Sequence, residues 1–263
     1  MITMNKPQEI PSAAELVGFL CDYAAHLLGA GATCIRIEKN VSRMARAYGM
    51  NIEMVIMPRH IHLTLWNNDR SDVITSVATV THNAVSFNIN TSLSRLSWDV
   101  ADGRTDFRAA KERFEYIIRN DRQNRIFVLV SVACANAAFC RLFGGDFIAM
   151  IIVGIATMAG YHTKTTLLSC GIDPRLTVAV CSFISAILGA TDILFSIGST
   201  PKIAIATSVL YLVPGIVFLN SFSDMLDRHY LCAISRFAEA AVITCCLSAG
   251  LCAAMTLMNT GMF

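Results

Sequence analysis

The stretch YLVPGIVFLNSFSDMLDRH, residues 211–229, decides how the rest of the chain is read. An apolar run is interrupted by Pro214-Gly215, and Asn220 and Asp224 follow one helical turn apart beyond the break. Proline removes a backbone donor and clashes with the preceding turn, while glycine admits conformations other residues resist, so the pair kinks or opens a helix. In lipid such a break survives only beside protein or water. Broken helices with polar groups close by are how transporters build midplane sites for small substrates, so transport is the first reading. The i, i+4 spacing stacks Asn220 and Asp224 on one face, and Arg228 continues it. Asp224 either pairs with Arg228 or offers a proton-accepting carboxylate to a pathway.

Around this stretch lie apolar segments at 126–143, 147–168, 176–198, 203–222 and 237–258. A helix needs about 20 mostly apolar residues to cross a bilayer, so these predict five membrane crossings. Their joints carry turn residues: Gly144-Gly145-Asp146, Gly171-Ile172-Asp173-Pro174 and Ser199-Thr200-Pro201. With 54% hydrophobic and 15% charged residues, the chain is more apolar than a soluble protein of its length. Of the 21 Lys and Arg, 15 precede Ile126, as do 13 of the 19 Asp and Glu, so the two halves face different solvents. The expected architecture is an α+β cytoplasmic domain at 1–122 followed by an all-α membrane domain of five transmembrane helices at 123–263.

Positive charge sets the expected orientation. Arg119, Arg122 and Arg125 precede the first crossing, Lys164 and Arg175 flank the second joint, and Arg228 and Arg236 lie in the fourth. The other joints and the C-terminal NTGMF are poorer in basic residues, which predicts a cytoplasmic N-terminus and an outer C-terminus. MITMNKPQEIPSAAE has no basic region leading into an apolar segment, so no secretory signal peptide is expected. A net charge of +2 without a basic, aromatic-laced stripe excludes nucleic acid as the expected partner. An odd number of crossings points to a half-unit that assembles with others, because many transporters are built from paired repeats.

In the N-terminal half, Ser12 and Glu15 form a capping box for a helix carrying Leu16, Leu20, Tyr23 and Leu27. Ile37, Val41, Met44 and Tyr48 mark a second helix closed by Gly49. NIEMVIM (51–57) and HIHLTLW (60–66) alternate as strands do, more extended chain is expected within 71–89, and two helices follow near 91–102 and 105–119. GAGATCIRIEKN (29–40) either opens a helix N-terminus able to receive an anion or places Arg36 and Glu38 on a solvated face. It lacks phosphate-loop spacing. His60 and His62 share a strand face, yet beyond distant candidates such as His82 a third metal ligand is missing, so no metal site is assigned. The ten cysteines include no C-x-x-C pair and read as small apolar fillers. Nothing in the chain calls for a cofactor.

Polar residues inside apolar segments are costly and therefore informative. They are Asn136 and Arg141 in the first segment, Asp192 in the third, Asn220 and Asp224 in and just beyond the fourth, and Glu239 in the fifth. The residues expected to serve substrate or coupling are Pro214, Gly215, Asn220, Asp224, Asp192 and Asn136. Two other classes stay open: a sensor, and a membrane-anchored hydrolase using the N-terminal domain, for which no nucleophile or metal site is legible.

GAGATCIRIEKNVSRMARAYG (29–49) and LVPGIVFLNSFSDM (212–225), with the five-segment order, resemble the threonine/serine exporter family, specifically its N-terminal type of half. The resemblance covers nearly the whole chain after the first ten residues. It implies efflux of a small polar metabolite, a threonine/serine-like amino acid or a dicarboxylate such as succinate, across the cytoplasmic (inner) membrane. The expected drive is the proton gradient, and the expected partner is a separate small membrane subunit. Matching positions are Arg36 and Glu38 in the cytoplasmic domain and Pro214, Gly215, Asn220 and Asp224 in the membrane. The stretch 71–89 departs from the family pattern, since THNAVSFNI lacks the basic residues expected there.

Overall fold

Helix α1 (Ala13–Gly29) starts at the expected capping box: Ser12 accepts from the Glu15 backbone, and the Glu15 carboxylate reaches back to the Ser12 backbone. It ends where Gly31 takes φ +82°, donating to Leu28 while the Ala32 N–H bonds to the Leu27 carbonyl. This reversal needs a positive φ that glycine supplies without strain. A side chain at Gly31 would also press on Val85. The computed structural model describes residues 11–81, 85–120, 124–191, 193 and 198–258.

The described residues divide into two compact units. One holds Met1–Arg122 together with Ile216–Phe237, and the other holds Gln123–Gly215 with Ala238–Phe263. The chain thus passes from the first unit to the second after Arg122, returns at Ile216 and leaves again after Phe237. The segment after the Pro-Gly break clusters with the N-terminal residues.

In the first unit, α2 (Cys34–Ala47) buries Ile37, Val41 and Met44, which recur at helical spacing. A three-stranded antiparallel sheet follows in the order β1 (Asn51–Ile56), β2 (His60–Trp66), β3 (Val73–Thr79). The register pairs Val55 with His62 and His62 with Val77, so the alternation that buries Ile61, Leu63 and Leu65 turns His60 and His62 to the opposite face. His82 lies outside the described residues. Helices α3 (Phe87–Ala101) and α4 (Phe107–Arg119) complete the layer. The core runs from Leu16, Leu20 and Tyr23 of α1 to Leu93 and Phe114, and Phe19 meets both Phe107 and Phe114 edge to face.

The apolar helices are α5 (Arg125–Leu142), α6 (Phe147–Ser169), α7 (Pro174–Gly189), α8 (Pro201–Ser208), α9 (Gly215–Leu226) and α10 (Tyr230–Leu257). Among the described residues α5, α6 and α10 have the length and composition to cross a membrane. A fourth crossing results if α8, its following 3-10 turn and α9 are taken as one interrupted span. Helix α7 is apolar but has 16 residues, and much of the expected 190–198 continuation lies outside the described residues. The fourth expected segment is two helices, because Val213 is extended before Pro214, as a residue preceding proline tends to be.

Within the second unit, small residues let helices approach. A Cβ at Gly160 would collide with the Tyr211 hydroxyl and Ser185, and one at Gly250 would strike the Ala179 carbonyl. Such contacts replace the hydrophobic drive that helices lack in lipid. Asp146 ties the ends of two helices together: it caps α6 through the Ala149 N–H and accepts from the backbone and hydroxyl of Ser199.

Candidate functional site

Asp224 lies on α9 and is fully buried. Its Oδ2 accepts from the Arg236 guanidinium at 2.6 Å, and its Oδ1 accepts from the Cys34 backbone N–H at 2.8 Å. The partner is thus Arg236 on α10 rather than Arg228, which is exposed at φ +67°. The reason is the turn. Arg228 sits at the left-handed position ending α9, where its N–H bonds to Met225 and the His229 N–H bonds to the Asp224 carbonyl. That reversal ends the helical face that would have carried Arg228 above Asp224, and α10 returns Arg236 to it.

Two further bonds tie this hairpin to the loop between α1 and α2, and a third contact reaches α2. Arg236 donates to the Ala32 carbonyl at 2.7 Å, Asn220 donates to the Gly31 carbonyl at 2.8 Å, and His229 lies 3.4 Å from Glu38. The GAGATC segment does present a helix N-terminus to an anion, and the anion is the chain's own Asp224. A carboxylate is favourable there because the first N–H groups of a helix lack intrahelical acceptors and the helix dipole is positive at that end. Arg36 is exposed on α2, and Glu38 is half-buried. Cys34 and Cys232 are both buried beside this cluster. The Cys34 thiol is pushed up by its hydrogen bond with Cys232 and by burial.

The second unit holds a different constellation. Asn136 of α5 is buried and donates to the Thr157 hydroxyl at 2.6 Å and to the Thr207 carbonyl at 3.1 Å, joining α5, α6 and α8. Thr207 lies in the last turn of α8, where carbonyls lack intrahelical donors, and its carbonyl takes the Asn136 amide beside the Val209 N–H. Tyr211 and Ser185 share a hydrogen bond at 3.0 Å. At one end of the α5–α6 pair, a cavity of about 410 Å³ is lined by Arg125, Tyr161, His162, Thr165, Thr166 and Ser169, among others. Helical spacing puts 161, 162, 165, 166 and 169 on adjoining rows, so the last two turns of a membrane-length helix present hydroxyls and an imidazole toward a guanidinium. Its size lies in the range of about 300–1,000 Å³ typical of small-molecule sites. Asp192 lies outside the described residues. Gly215 follows the break, its N–H bonding to Val213.

The ThrE family of threonine/serine exporters matches residues 19–258. The chain belongs to the threonine/serine exporter family. Its relatives include a protein of Klebsiella aerogenes called probable succinate transporter subunit YjjP, 25% identical over 236 residues that cover 89% of this chain and 90% of the relative. The protein of the same name from Escherichia coli K12 is 27% identical over 233 residues, covering 88% of this chain and 90% of the relative. No solved structure matches the chain. Family and relatives are transporters rather than enzymes, and with the apolar helices they make this a membrane protein of the exporter class.

Sequence reasoning did not find Arg236 as the partner of Asp224, nor the cavity at Arg125 and His162. For the cavity a signal was present: YHTKTTLLS (161–169) is a polar run at the end of an apolar segment. For Arg236 the signal is the turn DRH between two helices, which makes residues twelve apart face one another.

Proposed function

We propose that the chain is one subunit of an inner-membrane exporter for a small carboxylate, with a dicarboxylate such as succinate ahead of threonine- or serine-like amino acids. The observation that carries this reading is the cavity in the second unit, where a membrane-length helix presents Tyr161, His162, Thr165 and Thr166 beside Arg125. The Arg125 guanidinium attracts carboxylates and repels the ammonium of a zwitterion, which favours a dicarboxylate. Polar faces on membrane helices mark substrate pathways. The relatives' name, a succinate transporter subunit, supports the same class and a second membrane subunit completing the pathway. In this reading the membrane part makes five crossings, with the N-terminus inside and the C-terminus outside, and subunits assemble as an oligomer.

Export is coupled to protons through Asp224. A proton there removes the charge that holds Arg236 and the start of α2, loosening α9 next to the Pro214-Gly215 break while Asn220 keeps its hold on Gly31. Asn136 serves by joining the three helices around the pathway. Arg36 and Glu38 serve the cytoplasmic unit, Glu38 through His229. Asp192 is a second coupling carboxylate.

The test is efflux from cells or vesicles loaded with labelled succinate or threonine, with the chain and its partner subunit present. Succinate should leave faster than threonine, Arg125→Gln should raise the apparent KM for succinate about tenfold, and Asp224→Asn should abolish the response to an imposed pH gradient. Threonine efflux unaffected by Arg125→Gln, without succinate efflux, overturns the substrate class. Gradient-dependent export by Asp224→Asn removes that residue from coupling.

A further inference from the structure

The outer face of α2 carries Arg36, Lys39, Arg43 and Arg46 at spacings of three and four, so all four fall on one stripe. On a solvated helix such a stripe needs no explanation, and long basic side chains there are free to sample many rotamers. Arg43 is not free. Its Nη1 donates to Asn40 Oδ1 at 3.0 Å and to Ser97 Oγ at 2.6 Å. Asn40 and Ser97 are buried and bonded to one another, and Asn40 also donates to Ser94. The guanidinium carbon lies over the Trp98 ring, 3.7 Å from its centroid.

This arrangement fixes the plane of Arg43 and commits only one of its terminal nitrogens to hydrogen bonds among the described residues. The remaining N–H edge has the fork geometry that takes a carboxylate through two parallel bonds. A groove of about 650 Å³ opens there, lined by Lys39, Ser42, Arg43, Arg46 and Trp98, with Glu38 as the single carboxylate among the lining residues. Three cations against one anion leave two positive charges to be met. A dianion meets them, and a zwitterion or a monoanion does not. Trp98 is 53% exposed although it is the largest apolar side chain on its helix, as a binding wall is and a core residue is not.

We infer that this groove of the cytoplasmic unit binds a small dicarboxylate, one carboxylate on the free edge of Arg43 and the other on Lys39 or Arg46, one turn to either side. The choice of a dicarboxylate among small dianions rests on the proposed function; the cationic groove does not. The chain would then read its substrate's concentration in the cytoplasm at a place separate from the membrane pathway.

The experiment is a fluorescence titration of the full-length chain in detergent, carrying Trp66→Phe so that Trp98 is its sole tryptophan. Succinate, butyrate, threonine and inorganic phosphate are each added at constant ionic strength. Succinate should change the emission saturably and butyrate and threonine should not. Lys39→Gln and Arg46→Gln, which leave the Arg43–Trp98 stack in place, should each weaken succinate binding at least threefold, and the pair together at least tenfold. Arg43→Gln should abolish it. An unresponsive wild type, equal affinity in the doubly substituted Lys39→Gln, Arg46→Gln variant, or an equal response to butyrate overturns the site. A response to phosphate in preference to succinate overturns the dicarboxylate. Because no flux is measured, succinate export without binding removes only this groove, and binding without export removes only the proposed function.

Discussion

Replacing Arg236 with Met leaves Asp224 fully buried without its cation, with the Cys34 N–H as its remaining donor. Breaking a buried ion pair from one side costs about 3–5 kcal/mol, because the stranded charge has lost its water and its partner. Asp224→Leu should cost a similar amount, since it strands Arg236, whose side chain is only 14% exposed, and orphans the Cys34 N–H. The double variant buries no charge. It leaves two unpaired backbone groups, the Cys34 N–H and the Ala32 carbonyl, at about 1–3 kcal/mol each. The two single losses together should therefore exceed the double loss, by about 4 kcal/mol at the middle of these ranges. At about 2–4 °C per kcal/mol for a unit of this size, each single variant should unfold roughly 6–20 °C early. The assay is thermal unfolding of the purified chain, followed by mass-spectrometric labelling of Cys34 and Cys232, which are buried beside the pair and report on this unit alone. Strictly additive losses, or single variants within about 1 kcal/mol of wild type, would refute the clasp.

Two shorter predictions concern other joints. Asn136→Leu should destabilise the second unit by about 1–3 kcal/mol, because the buried Thr207 carbonyl and Thr157 hydroxyl lose a donor, read as earlier exposure of Cys140, which is buried in the same unit. Arg228→Gly should leave the α9–α10 turn intact and raise the unfolding temperature of the first unit by a few degrees, since glycine holds a positive φ without the roughly 1 kcal/mol that other residues incur; a drop instead would mean that the Arg228 side chain has a contact worth more than its strain.

Local signals carried most of the fold. The Ser12 and Glu15 capping box, the glycines after α1 and α2, the alternation of 51–57 and 60–66, and Pro214-Gly215 each act within a few residues, and each element begins, ends or breaks where they place it. The third strand was expected only as extended chain, because VITSVAT has the composition of a strand but no register until β2 supplies one. Helix α3 begins at Phe87 rather than near 91, since the Ser86 side chain caps the Ile89 N–H, a three-residue signal hidden in a run with no helical period. The candidate site was half legible. Asn220 and Asp224 stand out by type, but their acceptor and donor, Gly31 and Cys34, lie about 190 positions away. Only tertiary structure could supply them.

The clasp raises the question of why a carboxylate stands at 224 at all. A buried ion pair is a weak source of stability, and well-packed apolar residues of similar volume often do as well or better. The capping of α2 does not require it either, since a neutral side-chain oxygen, as at the N-caps Ser86 and Asn124, satisfies the first N–H groups of a helix. Under the proposed coupling, what neither substitute provides is a joint that one proton can weaken. Protonated Asp224 keeps a carbonyl oxygen for the Cys34 N–H but loses its attraction for Arg236, so α9 would loosen from α10 while Asn220 still holds Gly31, without unfolding the helix it caps. The double apolar variant separates these roles. If it folds and exports without regard to pH, the charge at 224 is there for coupling; if it folds and still follows the gradient, the ion pair is a staple and the proton is carried elsewhere.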